Sequence, residues 1–206
     1  MIDEYFKENE IKKLHIGCGP TNLLDGWLNT DLVAHNEKIL SLDVLSGPFP
    51  FQDNSFDYIF SEHMIEHISY EHALVMLKEC FRILKKGGRI RISAPNLDFL
   101  FKVYKEPEIK LHKDWLTYQN EYYAKWAPFP DPSYIINNYV RAWGHKFIYD
   151  KTSLSASLMI SGFTNITEHL IQNSSDLNLS NLENPGRLPP GFLQLETVTL
   201  EAVKFW

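Results

Sequence analysis

Short apolar runs separated by polar residues mark the first sixty positions of the chain. The runs in "KLHIG", "GWLNTD" and "KILSLDV" predict three short strands. A fourth run, "SFDYIFSEH", is apolar enough for a central strand that is buried on both faces of a sheet.

The next segment has the periodicity of a helix. Its apolar residues recur every three or four positions, which predicts one buried helical stripe packed on the sheet: Tyr70, Ala73, Leu74, Leu77, Phe81 and Leu84. Gly87 and Gly88 are expected to end this helix, and "RIRISAP" follows as a strand that Pro95 closes. Strands that alternate with helices predict an α/β fold with a doubly wound, mostly parallel sheet.

Aromatic residues crowd the middle of the chain, where they far exceed the overall aromatic share of 14%: Trp115, Tyr118, Tyr122, Tyr123, Trp126, Phe129, Tyr134, Tyr139, Trp143, Phe147 and Tyr149. We interpret residues 98–150 as an inserted, helical cap subdomain within a single domain of residues 1–206. The aromatic side chains could form the core of that cap, a lid or stacking platform for an acceptor, or a dimer interface.

The last quarter of the chain predicts a helix around "SLSASLMISG" and two strands, "FTNITEHLIQ" and "LETVTLEAVKF", which are expected to be antiparallel. The Asn-, Ser-, Pro- and Gly-rich segment between these strands predicts a long loop. Arg187 in this loop could meet an anionic acceptor group or be a solvated surface residue.

Composition and charge exclude some classes of partner. A net charge of −6 without a basic cluster argues against a nucleic-acid surface. The N-terminus lacks a signal core, and no apolar run is long enough to span a bilayer, so we expect a soluble, cytoplasmic protein without a membrane partner. Cys18 and Cys80 have neither metal-ligand nor disulfide spacing and are expected to be reduced.

A Gly-Cys-Gly turn directly after the first strand predicts close approach of the backbone to a ligand. A dinucleotide loop would have a third glycine where this chain has Asn22, which disfavours a nicotinamide-dependent oxidoreductase. Asp31, at the end of the second strand, could accept hydrogen bonds from both hydroxyls of a ribose, or simply face solvent.

Five motifs in register resemble the class I S-adenosylmethionine-dependent methyltransferases, in particular the type 11 group. They are "HIGCGP", Asp31, "LDV", "FPFQDNSFDYIFSEHMIEH" and "ECFRILKKGGRIRISAPN". The resemblance implies a Rossmann-like fold with a seven-stranded sheet, S-adenosylmethionine as cofactor and S-adenosylhomocysteine as product. The short interval between Gly17 and Asp31 implies that the first crossover helix is truncated.

The resemblance also implies a cofactor site, formed by Gly17, Cys18, Gly19, Asp31, Leu32, Asp43, Val44, Ser61, Glu62 and His63. The Gly-Cys-Gly turn would line the methionine part of the cofactor, and Asp31 would hold the ribose. Asp43 and Val44 would lie by the adenine. The residues that end the fourth strand would face the sulfonium and the acceptor.

Methyl transfer needs a base only when the acceptor is a hydroxyl or a similarly weak acid, and histidine suits that role near neutral pH. The candidate catalytic residues are His145 first, then His63 and His67. Each could instead be a structural histidine with a fixed hydrogen bond.

The same segment matches H-x-x-E-H, a zinc-peptidase pattern, through His63, Glu66 and His67. On a helix the two histidines would share a face and bind zinc while Glu66 activated water. The segment directly follows a strand and offers no evident third ligand, so our leading interpretation contains no metal.

The function predicted from the sequence is methyl transfer to a small-molecule or saccharide acceptor, by a chain that could form a homodimer. The alternatives are a non-catalytic cofactor-binding domain, a nicotinamide-dependent oxidoreductase and, least favoured, a zinc hydrolase.

Overall fold

A seven-stranded sheet forms the centre of the structure, a computed structural model that describes residues 1–206. Its strands are β1 (Lys13–Ile16), β2 (Leu28–Asp31), β3 (Ile39–Ser41), β4 (Phe56–Glu62), β5 (Leu84–Pro95), β6 (Thr164–His169) and β7 (Thr197–Val203). They lie in the order β3-β2-β1-β4-β5-β7-β6. The first five strands are parallel, and β7 runs antiparallel to both β5 and β6. The predicted doubly wound, mostly parallel sheet is confirmed.

Seven helices surround the sheet: α1 (Ile2–Glu8), α2 (Tyr70–Ile83), α3 (Leu97–Lys105), α4 (Lys110–Tyr122), α5 (Pro132–Tyr139), α6 (Lys151–Ile160) and α7 (Phe192–Glu196). None of them is long and apolar enough to cross a membrane. The main apolar core lies between the sheet and its helices and includes Phe56, Ile59, Ile90 and Leu158.

The predicted end of α2 is wrong. The helix stops at Ile83, and the Gly-Gly pair lies inside β5. A side chain at Gly88 would place its Cβ 2.8 Å from the carbonyl oxygen of Lys85, so the strand needs glycine at this position. The buried face of α2 includes Ala73 and Leu77, as predicted, but continues through Met76, Cys80 and Ile83.

The first crossover is shorter than a helix. Residues 17–27, between β1 and β2, consist of turns and irregular backbone without a helix, which confirms the predicted truncation. The amides of Gly17 and Cys18 donate to the carbonyl of Thr30, at 2.8 and 3.0 Å. The turn is thereby fastened to β2, beside Asp31.

Helices α3, α4 and α5 share a second apolar cluster, centred on the fully buried Trp115 and including Phe99, Ile135 and Tyr139. Phe192 of α7 belongs to the same cluster. The aromatic-rich segment therefore has a core of its own, which the late part of the chain helps to complete.

The segment between β6 and α7 is irregular, as predicted, apart from a 3₁₀ turn at Pro185–Arg187. The buried guanidinium group of Arg91 orders this segment. Arg91 of β5 donates to the carboxylates of Glu183 and Glu201, both at 2.6 Å. The predicted last strand is corrected at its start, because Phe192–Glu196 is helical and β7 begins at Thr197.

Candidate active site

A groove of about 420 Å³ opens at the carboxyl ends of β1 to β4. Parallel α/β sheets gather their ligands at this edge. The groove is lined by Ile16, Gly17, Gly19, Asp31, Leu32, Leu42, Asp43, Val44, Leu45, His63, Met64, His67 and Ile68. Seven of the ten predicted cofactor residues therefore lie on one wall.

The two glycines of the turn have different surroundings. Gly17 has φ +76° and lies so close to Met64 that an added Cβ would be 2.5 Å from its Cγ atom. Gly19 has φ +62°, and an added Cβ would meet nothing within 4 Å. Glycine is thus required at position 17 by both space and backbone, but at position 19 by the backbone alone.

Two carboxylates line the groove. Asp31 accepts a hydrogen bond from the amide of Gly19 at 2.8 Å, which holds the glycine turn against the end of β2. Asp43 is exposed and accepts hydrogen bonds from the hydroxyl of Ser46 and the amide of Leu45. These bonds, chiefly that from Ser46, lower the pKa of Asp43. Both positions offer acceptor oxygens to ligand hydroxyl or amino groups.

Three predicted cofactor residues lie behind the groove wall. The thiol of Cys18 is turned inward, and burial raises its pKa to about 11. Ser61 is buried within β4. The carboxylate of Glu62 accepts hydrogen bonds from the amide of Asn184 and the side chain of Asn22, at 3.2 and 3.3 Å. Because these polar atoms are buried or engaged elsewhere, the structure does not bring them to the ligand side.

A second cavity, of about 320 Å³, adjoins the groove on the side of the aromatic helices. It is lined by His63, Glu66, His67, Gln119, Tyr123, Tyr139, Trp143, His145, Arg187, Leu188 and Glu196. His63 and His67 belong to the walls of both cavities. All three histidines proposed from the sequence therefore lie together at or beside this junction.

His63 is held in an unusual backbone conformation, with φ 47° directly after β4. Its Nε2 atom is hydrogen-bonded to the hydroxyl of Thr197 at 2.9 Å. Burial lowers the pKa of His63 well below its usual value, and burial also lowers those of His67 and His145. These shifts favour the neutral form of the three rings.

His145 is oriented by the cap. Its Nδ1 atom donates to the carbonyl of Tyr139 at 2.8 Å, which leaves the Nε2 lone pair free. Its ring centroid lies 5.1 Å from that of His67.

Two buried carboxyls complete the second cavity. Glu66 is 1% exposed, and neither of its oxygens has a hydrogen-bond partner. Burial raises its pKa to about 8. Glu196 accepts a hydrogen bond from the indole of Trp115 at 2.8 Å, and burial raises its pKa to about 7.

Sequence reasoning missed Glu196 and Gln119, and it assigned Glu66 only to the zinc alternative. A lone glutamate in the apolar run "FLQLETVTL" is the one signal that could have marked Glu196 as a buried charge. No feature of the sequence indicates that Gln119 lines the cavity.

The α-helix that the H-x-x-E-H alternative requires is absent. Ile65–His67 is a single 3₁₀ turn, and His63 lies outside it in the left-handed region. The two histidines of the motif therefore do not share the face of an α-helix.

Comparison with known proteins gives a consistent result. Residues 14–92 match the family model described as a methyltransferase domain. Over 107 residues the chain is 28% identical to the uncharacterized protein MJ0638 of Methanocaldococcus jannaschii, covering 46% of each chain. It is 29% identical over 140 residues to the uncharacterized protein MJ1123 of the same organism, covering 54% of this chain and 67% of that one. The match thus spans about half the length of the first of these relatives.

Solved structures share the fold. A SAM-dependent methyltransferase from Archaeoglobus fulgidus superposes with a TM-score of 0.56 at 16% identity, covering 98% of this chain and 90% of that one. A possible histamine N-methyltransferase from Thermotoga maritima gives 0.52 at 16% identity, covering 95% and 83%. A complex of the Haloferax volcanii Trm112 methyltransferase activator with the putative methyltransferase gives 0.53 at 11% identity, covering 98% and 88%.

Proposed function

We propose that the chain is a class I methyltransferase of the type 11 group and that it transfers the methyl group of S-adenosylmethionine to an acceptor bound in the second cavity. The match of residues 14–92 to the methyltransferase-domain family model supports this proposal. The observation that carries this proposal is the junction of the two cavities. His63 and His67 line both of them, so a donor in the groove and an acceptor in the cavity would meet at these histidines.

The groove supports the cofactor part of the proposal. Its glycine turn leaves room for an amino-acid tail, Asp31 offers acceptors to ribose hydroxyls, and Asp43 and Val44 line the same groove, where we propose that they contact the adenine. Nothing at the end of β1 resembles a pyrophosphate site, since no helix begins there. These features favour a nucleoside with an amino-acid tail over a dinucleotide.

The second cavity supports a small polar acceptor. Tyr123, Tyr139 and Trp143 provide aromatic surface, whereas Gln119 and Arg187 provide hydrogen-bond donors. Aromatic faces bordered by such donors suit a sugar ring or a similar polar molecule. We therefore propose a small-molecule or saccharide acceptor.

In the reaction, the protein would position the acceptor and accept its proton. When bound, S-adenosylmethionine supplies a methyl carbon that its positive sulfur has already activated. Alignment of an acceptor in the cavity can lower the barrier by several kcal/mol. If the acceptor is a hydroxyl, the free Nε2 atom of His145 is placed to take its proton, and His63 and His67 are the other candidate acceptors.

We further propose a reducing, cytoplasmic location, in keeping with two free, buried thiols. A homodimer would use the exposed aromatic surface of Tyr122, Trp126 and Phe129. Light scattering coupled to size exclusion tests this arrangement, and a mass of one chain, 24.0 kDa, would contradict it.

Titration calorimetry of the purified chain tests the cofactor assignment. We expect one S-adenosylhomocysteine to bind per chain with micromolar affinity and NAD to give no heat. NAD binding without a response to S-adenosylhomocysteine would instead identify an oxidoreductase. Cofactor binding without turnover on any of a panel of sugar hydroxyls and amines would favour a non-catalytic binding domain.

A further inference from the structure

Three potential metal ligands lie together where the second cavity meets the groove. One ligand atom from each of Glu66, His67 and His145 lies within 4.8 Å of the other two. Glu66 and His67 belong to the turn after β4, whereas His145 follows α5. This set differs from the zinc-peptidase pattern, because His63 is replaced by a histidine from a distant part of the chain.

The donor set suits a divalent transition metal. Two imidazoles and one carboxylate are ligands that zinc and neighbouring metals accept, with further positions left for water or a bound molecule. A tetrahedral ion with bonds of about 2.1 Å holds its ligand atoms about 3.4 Å apart. Side-chain movements of about 1 Å would therefore close the site.

His145 is already prepared as a ligand. Its Nδ1–H donates to the carbonyl of Tyr139 at 2.8 Å, which fixes the tautomer and leaves Nε2 to bind. Histidine ligands in proteins typically donate their other ring N–H to a carbonyl or carboxylate in this way. His67 contributes a ring nitrogen, Nε2, that lies 3.8 Å from Oε1 of Glu66.

Glu66 provides an independent argument. Its carboxyl group is 1% exposed, lines the cavity and has no hydrogen-bond partner on either oxygen, although Nδ1 of His63 lies 3.5 Å from Oε1. A buried carboxyl group without a hydrogen-bond partner is costly. Arg187, the one arginine on the cavity wall, has its Nε atom 3.9 Å from Oε1 of Glu62. Glu196 also faces the cavity, so two glutamates and one arginine line it beside the three histidines.

We propose that Glu66, His67 and His145 bind one divalent transition-metal ion, of which zinc is the type, with an open coordination position facing the second cavity. An oxygen or nitrogen of the acceptor would complete the coordination, a part of the inference that rests on the proposed function. In the metal-loaded chain, His67 and His145 are ligands and no longer accept protons. An acceptor hydroxyl coordinated there would release its proton to water more readily than when free.

The test is titration calorimetry of the tag-free, chelator-treated full chain with zinc chloride, supported by the absorption spectrum of the cobalt form. We expect one zinc ion per chain and a visible cobalt spectrum of a nitrogen- and oxygen-ligated site. The variants Glu66→Gln and His145→Ala should each weaken zinc binding at least tenfold. The matched control His35→Ala removes an exposed histidine outside both cavities and should leave the affinity unchanged.

Absence of saturable zinc binding, or equal affinity in Glu66→Gln, His145→Ala and wild type, would overturn the inference. S-adenosylhomocysteine is titrated into the same preparations, because Glu66 and His145 do not line the groove. Retained nucleoside binding shows that each variant is folded. Zinc binding without S-adenosylhomocysteine binding would refute the proposed function alone, and the reverse result would refute the metal site alone.

Discussion

The groove and the second cavity are built in different ways, although they share His63 and His67. Every residue of the groove wall lies between positions 16 and 68, and much of the wall depends on turns at the ends of parallel strands. The second cavity takes its wall from positions 63 to 196, including α4, α5 and the loop before α7. Its polar groups meet only after distant segments have packed together.

This difference separates a local site from an assembled one. The groove requires correct strands and glycine turns. The second cavity requires the cap core around Trp115 and the loop ordered by Arg91. Changes to the buried ion network should therefore disturb the cavity side and the whole fold, whereas changes in the glycine turn should act mainly on cofactor binding.

The largest effect is expected from Arg91→Leu. The substitution leaves Glu183 and Glu201 buried without their cation and should lower the free energy of unfolding by about 3–5 kcal/mol. Urea denaturation followed by circular dichroism measures the change. The control Lys110→Ala removes an exposed ion pair with Asp114 and should cost less than about 0.5 kcal/mol. Equal losses in the two variants would mean that the buried network does not hold the loop.

A pH effect of about 3 kcal/mol is expected from His15, which lies in β1 behind the groove. Burial lowers its pKa to about 4, and its ring is hydrogen-bonded to Asn29 at 3.0 Å. An unfolded histidine takes up its proton near pH 6.5, so between these values the unfolded chain binds more protons. The free energy of unfolding should therefore fall as the pH drops from about 6.5 to about 4.

The variant His15→Leu isolates that contribution. It removes the titrating ring, and the side-chain oxygen of Asn29 still accepts from the amide of Leu24. Urea titrations at several pH values should show a flatter profile for the variant in this window. An unchanged slope would contradict the depressed pKa.

The two glycines form the next comparison, with an expected effect of about 2 kcal/mol or more. Gly17→Ala combines an unfavourable backbone angle with a clash against Met64, whereas Gly19→Ala has the angle alone and should cost about 1 kcal/mol. Calorimetry with S-adenosylhomocysteine and thermal denaturation measure both variants. We expect Gly17→Ala to lose more affinity and stability than Gly19→Ala. The opposite order would contradict the close contact between Gly17 and Met64.

The smallest effect is expected from Asp31→Asn. The amide keeps an oxygen for the amide of Gly19 but loses the charge that strengthens hydrogen bonds from ribose hydroxyls. Affinity for S-adenosylhomocysteine should fall by about 1 kcal/mol, and by more in Asp31→Ala. Unchanged calorimetric affinity in both variants would move the ribose to another residue.

The sequence predicted the groove better than the cavity for a physical reason. Alternating strands and the Gly-Cys-Gly turn are local patterns, and they located Gly17, Gly19, Asp31 and Asp43 on one edge. Sequence could not show that Glu62 turns toward Asn184, because that contact depends on the fold of a loop 122 residues away.

Dependence on distant segments also limits what the sequence predicts about the second cavity. The sequence predicts His145 as a candidate catalytic residue, but the orientation of its ring comes from the carbonyl of Tyr139. The strand predicted over "LETVTLEAVKF" includes Glu196, because its pattern does not reveal that Phe192–Glu196 is helical and that Phe192 packs in the cap core.

A crystal structure of the chain with S-adenosylhomocysteine tests the central assignment most directly. We expect the ribose hydroxyls at Asp31, the amino-acid tail along the Gly17 to Gly19 turn, and the sulfur directed toward His63 and His67 at the entrance to the second cavity. A nucleoside bound in the second cavity, or a sulfur directed away from these histidines, would contradict it.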